Sequence, residues 1–270
     1  MSGGCKKPSV PGISHIRPGS DILKGKNGAG QMIREHFQFR ETIATILADD
    51  PAHIAAAKTG MISARQELER YIARDPFFAI TYDPYTPGDG GKVVGRMADA
   101  ARKAGVGPMA AVAGAIAWSG LEAMIEAGAL FGVIDNGGDI ALIADREIRV
   151  GVHAGVSPLS DTLAFVIPAR GGIQGICTSS ATVGPSVSLG IADAVTVFSG
   201  NVASADAWAT AICNWLRPED HTVLSRLAGS DVTAVVAIMG EEIVRWGDPP
   251  PLVRAEVHPD IITRGRDPGR

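Results

Sequence analysis

Cysteine is scarce in this chain. Three thiols, Cys5, Cys177 and Cys213, serve 270 residues. They are too few and too scattered for a disulfide framework or a zinc knuckle, so a reducing cytoplasm is the expected compartment. A basic surplus is also missing. The net charge of -4 argues against a dedicated nucleic-acid binder. The first twenty residues, MSGGCKKPSVPGISHIRPGS, contain no apolar core, which speaks against a signal peptide. No G-x-G-x-x-G opens a helix, and neither Gly25-Lys26 nor Gly91-Lys92 is followed by Ser or Thr. A Rossmann dinucleotide site and a P-loop are therefore unsupported. G-x-S-x-G, H-E-x-x-H and C-x-x-C are absent as well, which removes the hydrolase elbow and the common zinc motifs.

Charge of either sign is thinnest in the middle. From Ala104 to Leu216 there are nine acids and three bases, together with 16 of the 33 glycines. Two uncharged runs reach membrane-spanning length, Ala104–Leu121 and Gly171–Ala192. The second is full of Gly, Ser and Thr and is not apolar enough to span. The first is rich in Ala and Gly, and Glu122 and Glu126 follow directly. A buried helix starting at Pro108 fits it better, because proline suits a first helical turn. No membrane partner is expected.

What is present is enough apolar material for a sizeable core, 46% of the residues. Residues 1–30 and 255–270 read as a flexible arm and tail around one domain, 31–254. HFQFRETIATILAD (36–49) reads as a strand pair or one bent strand. Pro51 opens a long helix to about Ala73, with Asp49 or Asp50 as its cap. DPFFAITYDPYTPGDGG (75–91) reads as a loop with at most a short strand. Helices are expected at 92–104, 109–127 and 202–216. Strands are expected at 130–134, 140–144, 148–153, 162–167, 173–177 and 194–198, with a hairpin over 232–246. Strands in runs and few, long helices point to an α+β fold with a largely antiparallel sheet.

Three segments offer chemistry. In VASADAWATAICNWL, Asp206 and Thr210 stand four apart and share one helix face. A carboxylate and a hydroxyl among small side chains suit a hard cation such as Mg2+. The plainer reading is that Asp206 complements the helix dipole and Thr210 packs. In VIDNGGDIAL, Gly137 and Gly138 permit positive φ and close approach of a ligand, next to Asp139. A hairpin turn explains the same residues. GICTSSATVGPSVSLG supplies backbone N–H groups and hydroxyls that can cradle phosphate without Lys or Arg, or it is a surface loop. His153 ends a strand and is the best placed histidine for catalysis, although a structural role suits it too.

The order of these pieces resembles the ApbE superfamily, the flavin transferases that move FMN from FAD onto a protein Thr. Residues 35–250 look like an uncharacterised cytoplasmic branch of it, on the marks HFQFRETIATILAD, GPMAAVAGAIA, NGGDIAL, GVHAGVSPLS, GICTSS, ADAVTVF and ADAWATAICN. The resemblance implies a T-fold-related single domain with bound Mg2+ and FAD or another nucleotide. It implies Gly137, Gly138, Thr178, Ser179 and Ser180 near the nucleotide. It further implies Asp206, Thr210 and the Ala113 carbonyl on Mg2+, with Gly114 standing where the transferases have Lys. Asp139 and His153 become the candidate catalytic groups. One departure stands out. The H-x-x-D-P-x-x-G segment of the transferases has no counterpart in ATVGPSVSLGIADAV. The expected function is therefore Mg2+-dependent binding of a flavin or related nucleotide, with FMN transfer or attack on its pyrophosphate as the reaction. A protein acceptor or a second copy of the chain is a possible partner. The alternatives are a nucleotide- or partner-binding protein that kept the fold and lost the chemistry, and a small hydrolase using Ser179 or Ser180 with His153.

Overall fold

The computed structural model describes residues 32–181 and 190–257. The expected arm, 1–30, lies outside the described residues, as do TVGPSVSL (182–189) and residues 258–270 of the expected tail.

The chain begins with a β-hairpin, β1 (Ile33–Phe39) and β2 (Thr42–Ala48), so the first segment is a strand pair. Asp50 then caps α1 (Pro51–Arg74) by accepting the Ala52 N–H at 2.7 Å, while Asp49 pairs with Arg146. The segment read as a loop holds one helical turn, α2 (Phe77–Ile80). Its cause is an aromatic cluster. Phe78 is buried edge-on against Tyr71, and the Tyr71 and Tyr85 hydroxyls both donate to Asp75 just ahead of the turn. Next come α3 (Gly91–Ala104), a 3-10 turn over Pro108–Ala111, and α4 (Val112–Glu126). The strands β3 (Gly132–Asp135), β4 (Asp139–Ala144), β5 (Ile148–Val152), β6 (Leu163–Ile167), β7 (Arg170–Ser179) and β8 (Ala194–Ser199) follow. Then come α5 (Val202–Trp215), a 3-10 segment at Thr222–Leu227, β9 (Val232–Met239), β10 (Glu242–Gly247) and β11 (Leu252–Arg254).

Eight strands form one sheet in the order β1-β2-β3-β4-β7-β8-β9-β10, and three form a smaller one, β11-β6-β5. Every neighbouring pair is antiparallel. The β5–β6 hairpin is an excursion between β4 and β7, which pair with each other. The result is three layers. Helices α1, α4 and α5 cover one face of the large sheet, with α3 packed on those helices, and the small sheet covers the other. Strand β9 shows the two-sided burial: Val235 and Ala237 join the helix-side core, and Val236 and Ile238 join the core against the small sheet. Such strands read as continuous apolar runs because both faces are dry.

The charge-poor middle of the sequence is this interior. In α5 the residues from Val202 to Ala209, then Ala211, Ile212 and Cys213, are buried, as expected of a helix apolar all round. The stretch Pro108–Glu126 is long and apolar enough to cross a membrane. Here Gly114–Ala117, Gly120, Leu121 and Met124 are buried, and α4 packs on α1, α5 and the sheet. The chain stays attached beyond β11, where the Val257 N–H donates to the Asp161 carbonyl at 3.0 Å and its side chain is buried against Gly151.

The second core is pinned by Phe165 of the small sheet, which meets Phe198 of the large one edge-on at 5.0 Å between ring centres. Truncating a buried Phe costs about 3–5 kcal/mol. Phe165→Ala is expected to lower the melting temperature by about 10 °C, read by differential scanning calorimetry. A shift below about 2 °C would show that the small sheet contributes little to global stability.

Candidate functional site

The site is built where α5 meets the start of α4 and the β3–β4 turn. Helix α4 begins without a capping side chain of its own. Its early N–H groups would be left unsatisfied. Asp206 supplies the cap from another helix. Its Oδ2 accepts the Gly114 N–H at 2.8 Å, and the nearby Ala113 N–H also favours its charged form. The positive end of the α4 dipole faces that charge. The plainer sequence reading of Asp206, a carboxylate favoured by its own helix, thus gives way to a tertiary cap on a neighbour. Thr210 stands one turn further along α5 and is half-buried.

Gly114 makes this possible. A Cβ there would sit 2.8 Å from the Val202 carbonyl oxygen and 3.2 Å from Asp206 Oδ2. No side chain fits at that position without moving α5, so the Lys of the transferase pattern has no room. Beside it, the Ala113 carbonyl accepts Nδ2 of Asn136 at 3.0 Å, which ties the β3–β4 turn to α4.

That turn carries the glycine pair. Gly137 and Gly138 take φ of 74° and 103°, conformations that strain any side chain. The Gly138 N–H donates to Asp135 Oδ1 at 2.9 Å, and its carbonyl accepts the Thr178 N–H at 3.1 Å. Asp139 pairs with Cys177 across β4 and β7, so their side chains share one face of the sheet. The Cys177 thiol donates to the Val202 carbonyl at 3.6 Å. Thr178 points to the opposite face of the strand, where its hydroxyl meets that of Thr196 at 2.9 Å. Ser179 ends β7 and Ser180 follows it.

Electrostatics mark this place. Burial pushes Asp206 up to about 7, against the pull of the Gly114 and Ala113 N–H groups. Burial raises Asp139 well above the usual carboxylate range, and the charges of Asp206 and Asp135 raise it further. Burial and the same two carboxyl groups, Asp139 and Asp206, push up the Cys177 thiol. Among the described residues no Lys or Arg pairs with Asp139 or Asp206. Asp206 is buried and Asp139 half-buried, and like charges held together there with no counter-charge from the protein are costly unless protonated or met by a cation. Among the described residues no cluster of three His, Cys, Asp or Glu side chains forms a ready metal centre. The oxygen donors here are of mixed type: carboxylate, hydroxyl and backbone carbonyl.

The structure brings together Ala113, Gly137, Gly138, Asp139, Thr178 and Asp206. Spacing alone gives Cys177 no role; it is buried, and both acids act on its thiol. The alternation of β7 carried that signal, since Cys177 and Asp139 occupy facing positions on paired strands. His153 belongs to a separate cluster. Its Nδ1 is 3.0 and 3.2 Å from the two carboxylate oxygens of Asp161 and 3.3 Å from Ser160 Oγ. A hydroxyl and a carboxylate on the same ring nitrogen do not make a hydrolase triad, which needs the hydroxyl on the other nitrogen.

A helical layer on an eight-stranded antiparallel sheet, with a buried acid capping a helix at its edge, defines an α+β protein of the ApbE-like fold. Solved structures agree. The flavin transferase ApbE from Vibrio cholerae superimposes with a TM-score of 0.55 at 12% identity, covering 80% of this chain and 96% of that one. The flavinyl transferase ApbE of Pseudomonas stutzeri, in its apo form, gives 0.54 at 11%, covering 80% and 94%. Nearer relatives are found by sequence. The UPF0280 protein of Methanosphaerula palustris is 61% identical over 87% of this chain and 99% of its own. That of Methanosarcina acetivorans is 47% identical over 86% and 93%. The chain belongs to the family described as AbpE bacteria, whose profile matches residues 26–247, an ApbE-like branch shared with these UPF0280 proteins.

Two outcomes follow from the acids and from Gly114. A carboxyl raised in the folded state binds more protons than the unfolded chain between about pH 4 and 7. Stability of the metal-free protein should fall as pH rises through that window, and Asp139→Asn should flatten the fall and raise the melting temperature at pH 8. A melting temperature in EDTA that rises from pH 5 to 8 would contradict this. Gly114→Ala should cost about 1–3 kcal/mol in urea unfolding, because backbone must move to admit the methyl group.

Proposed function

We propose that this chain binds a flavin or related nucleotide through a Mg2+ ion held by Asp206 and Thr210, with the Ala113 carbonyl as a further ligand. The observation that carries the reading is the pair of acids, Asp206 and Asp139, gathered at one helix start with no basic side chain beside them. The donor set fits the ion, since Mg2+ prefers oxygen ligands and completes its shell with phosphate oxygens and waters. The Ala113 carbonyl, in the first turn of α4, already accepts Asn136 Nδ2, so the side chains of Asp206 and Thr210 are the principal donors. A bound Mg2+ would neutralise charge on the phosphates of the ligand.

The rest of the site suits the ligand's other parts. Gly137 and Gly138 let a nucleotide come close to the β3–β4 turn. Thr178, Ser179 and Ser180 offer hydroxyls and N–H groups to phosphate without adding charge. Asp139 stands beside Asp206 and is placed to orient a polar group of the ligand or accept its proton. The known name of the solved neighbours, flavin transferase, favours FAD over other nucleotides. The reaction this reading allows is attack on the pyrophosphate, as FMN transfer or as hydrolysis. The missing H-x-x-D-P segment favours a second reading, in which the chain binds the nucleotide without turning it over.

Calorimetric titration of the full chain with FAD, with and without MgCl2, tests the proposal. Binding is expected only with Mg2+. Asp206→Asn should weaken it at least about tenfold, as loss of one charged ligand costs about 1.5–3 kcal/mol. Equal binding in EDTA, or unchanged affinity in the variant, would refute it. Release of AMP from FAD separates the two readings.

A further inference from the structure

The turn between β3 and β4 holds a buried acceptor that the nucleotide reading does not use. Asn136 and Asp139 flank the two glycines and face each other across the hairpin, where the Asn136 N–H donates to the Asp139 carbonyl at 3.1 Å. Both glycines have positive φ, so the turn is of the tight two-residue kind, and its flanking side chains stand on one face. That face is the helix side. Ile134 and Ala141, two positions further along each strand, both belong to the core under the helices.

Asn136 is only 8% exposed. Its Nδ2 donates to the Ala113 carbonyl at 3.0 Å. That bond fixes the amide, because a flipped amide would set its oxygen against the carbonyl oxygen. Oδ1 therefore occupies the other prong, and among the described residues no donor meets it. Buried acceptors are normally paired, and leaving one without a donor is costly. Among the described residues, the unpartnered polar atoms of Thr42, His53, Trp118, Gln174 and Trp208 are sealed from solvent, and Asn136 Oδ1 is not. The turn itself is open: a Cβ on Gly137 would meet nothing within 4 Å, and one on Gly138 only the Thr178 carbonyl oxygen at 3.7 Å.

Distances say which part of a nucleotide comes here. The oxygen and nitrogen of an amide are about 2.3 Å apart, so Oδ1 lies within about 5.3 Å of the Ala113 oxygen. The next residue, Gly114, gives its N–H to Asp206. Phosphate brought to Asp206 and Thr210 by a cation would thus stand beside the turn. The first donors outward from a nucleotide phosphate are sugar hydroxyls, and the N–H groups of the ring systems lie further out. Facing side chains of a hairpin have Cβ atoms about 4.5–5.5 Å apart, so Asp139 sets a second acceptor next to Asn136 Oδ1. Two neighbouring acceptors match two neighbouring hydroxyls, much as an acidic side chain matches the ribose in dinucleotide folds.

We infer that Asn136 is a specificity-determining residue of this site, whose Oδ1, with the Asp139 carboxyl, accepts hydrogen bonds from the sugar hydroxyls next to the ligand's phosphate. The inference rests on the nucleotide reading above. It narrows the ligand to a phosphate ester whose adjoining carbons carry free hydroxyls. Both halves of FAD meet that condition, one through the ribityl chain and the other through the adenosine ribose.

The test is calorimetric titration of the full chain in MgCl2 with FAD and two analogues. One carries a pentyl chain in place of ribityl, and the other 2′,3′-dideoxyribose in the adenosine half. At least one analogue is expected to bind about tenfold or more weakly than FAD, which names the half that is held. In Asn136→Ala the affinity ratio of FAD to that analogue should shrink at least about threefold. A residue that merely braces the turn would weaken all three ligands alike and leave the ratio unchanged. In the wild-type chain labelled with 15N-asparagine, the Asn136 side-chain NH2 signals should move with FAD and stay with the weaker analogue. Binding of all three ligands within about twofold, a ratio unchanged in Asn136→Ala, or NH2 signals unmoved by FAD overturns the assignment. In each of those cases FAD still binds with Mg2+, and the nucleotide reading stands. Absence of FAD binding to the wild type removes the nucleotide reading, and this assignment with it.

Discussion

Asp206 closing the open end of α4 is the contact on which the site depends. A helix buried at its N-terminus needs acceptors for its first N–H groups, and α4 brings none. The acceptor comes from α5, ninety-two residues later in the chain. It can reach only because position 114 has no side chain. That contact fixes the distance between α4 and α5, and α5 in turn lies on β7 and β8. The β3–β4 turn is drawn to the same point by Asn136 on the Ala113 carbonyl. A carboxylate made necessary by backbone chemistry is thereby held in a dry place next to Asp139.

Much of the fold was legible in the residues. Two-residue alternation and apolar runs located the strands of the large sheet within a few positions. The Pro51 start, a cap at Asp49 or Asp50 and the largely apolar α5 were readable from local chemistry alone. The loop over 75–91 hid one helical turn, because only the packing of Phe78 between Tyr71 and Tyr85 makes it form. The short strand β11 was invisible for a like reason: three residues acquire strand character by pairing with β6.

The site divides in the same way. Asp206 with Thr210 and Gly137 with Gly138 and Asp139 announce themselves by spacing. Nothing in the spacing says that Asp206 and Gly114 touch, or that two acids act on the Cys177 thiol. The Asp161 partner of His153 is eight residues away across an irregular connection, where no helical or strand period relates the two. The low charge of the middle third is likewise a matter of place: β8 and β9 are dry on both faces and α5 is dry all round. A Lys or Arg on those buried faces would have nowhere to reach water, and Asp193 and Asp206, buried beside them, are fastened to backbone N–H groups.

The smaller sheet is assembled from distant pieces of chain. Strands β5 and β6 are made as a local hairpin, and their third partner is Leu252–Arg254, about ninety residues downstream. During synthesis β6 therefore has an open edge until those residues leave the ribosome. The Asp161 carbonyl likewise waits for the Val257 N–H that holds it. The second layer, and the turn it supports, is thus completed only after nearly all of the large sheet has been translated. Ribosome progress itself times the maturation of that edge.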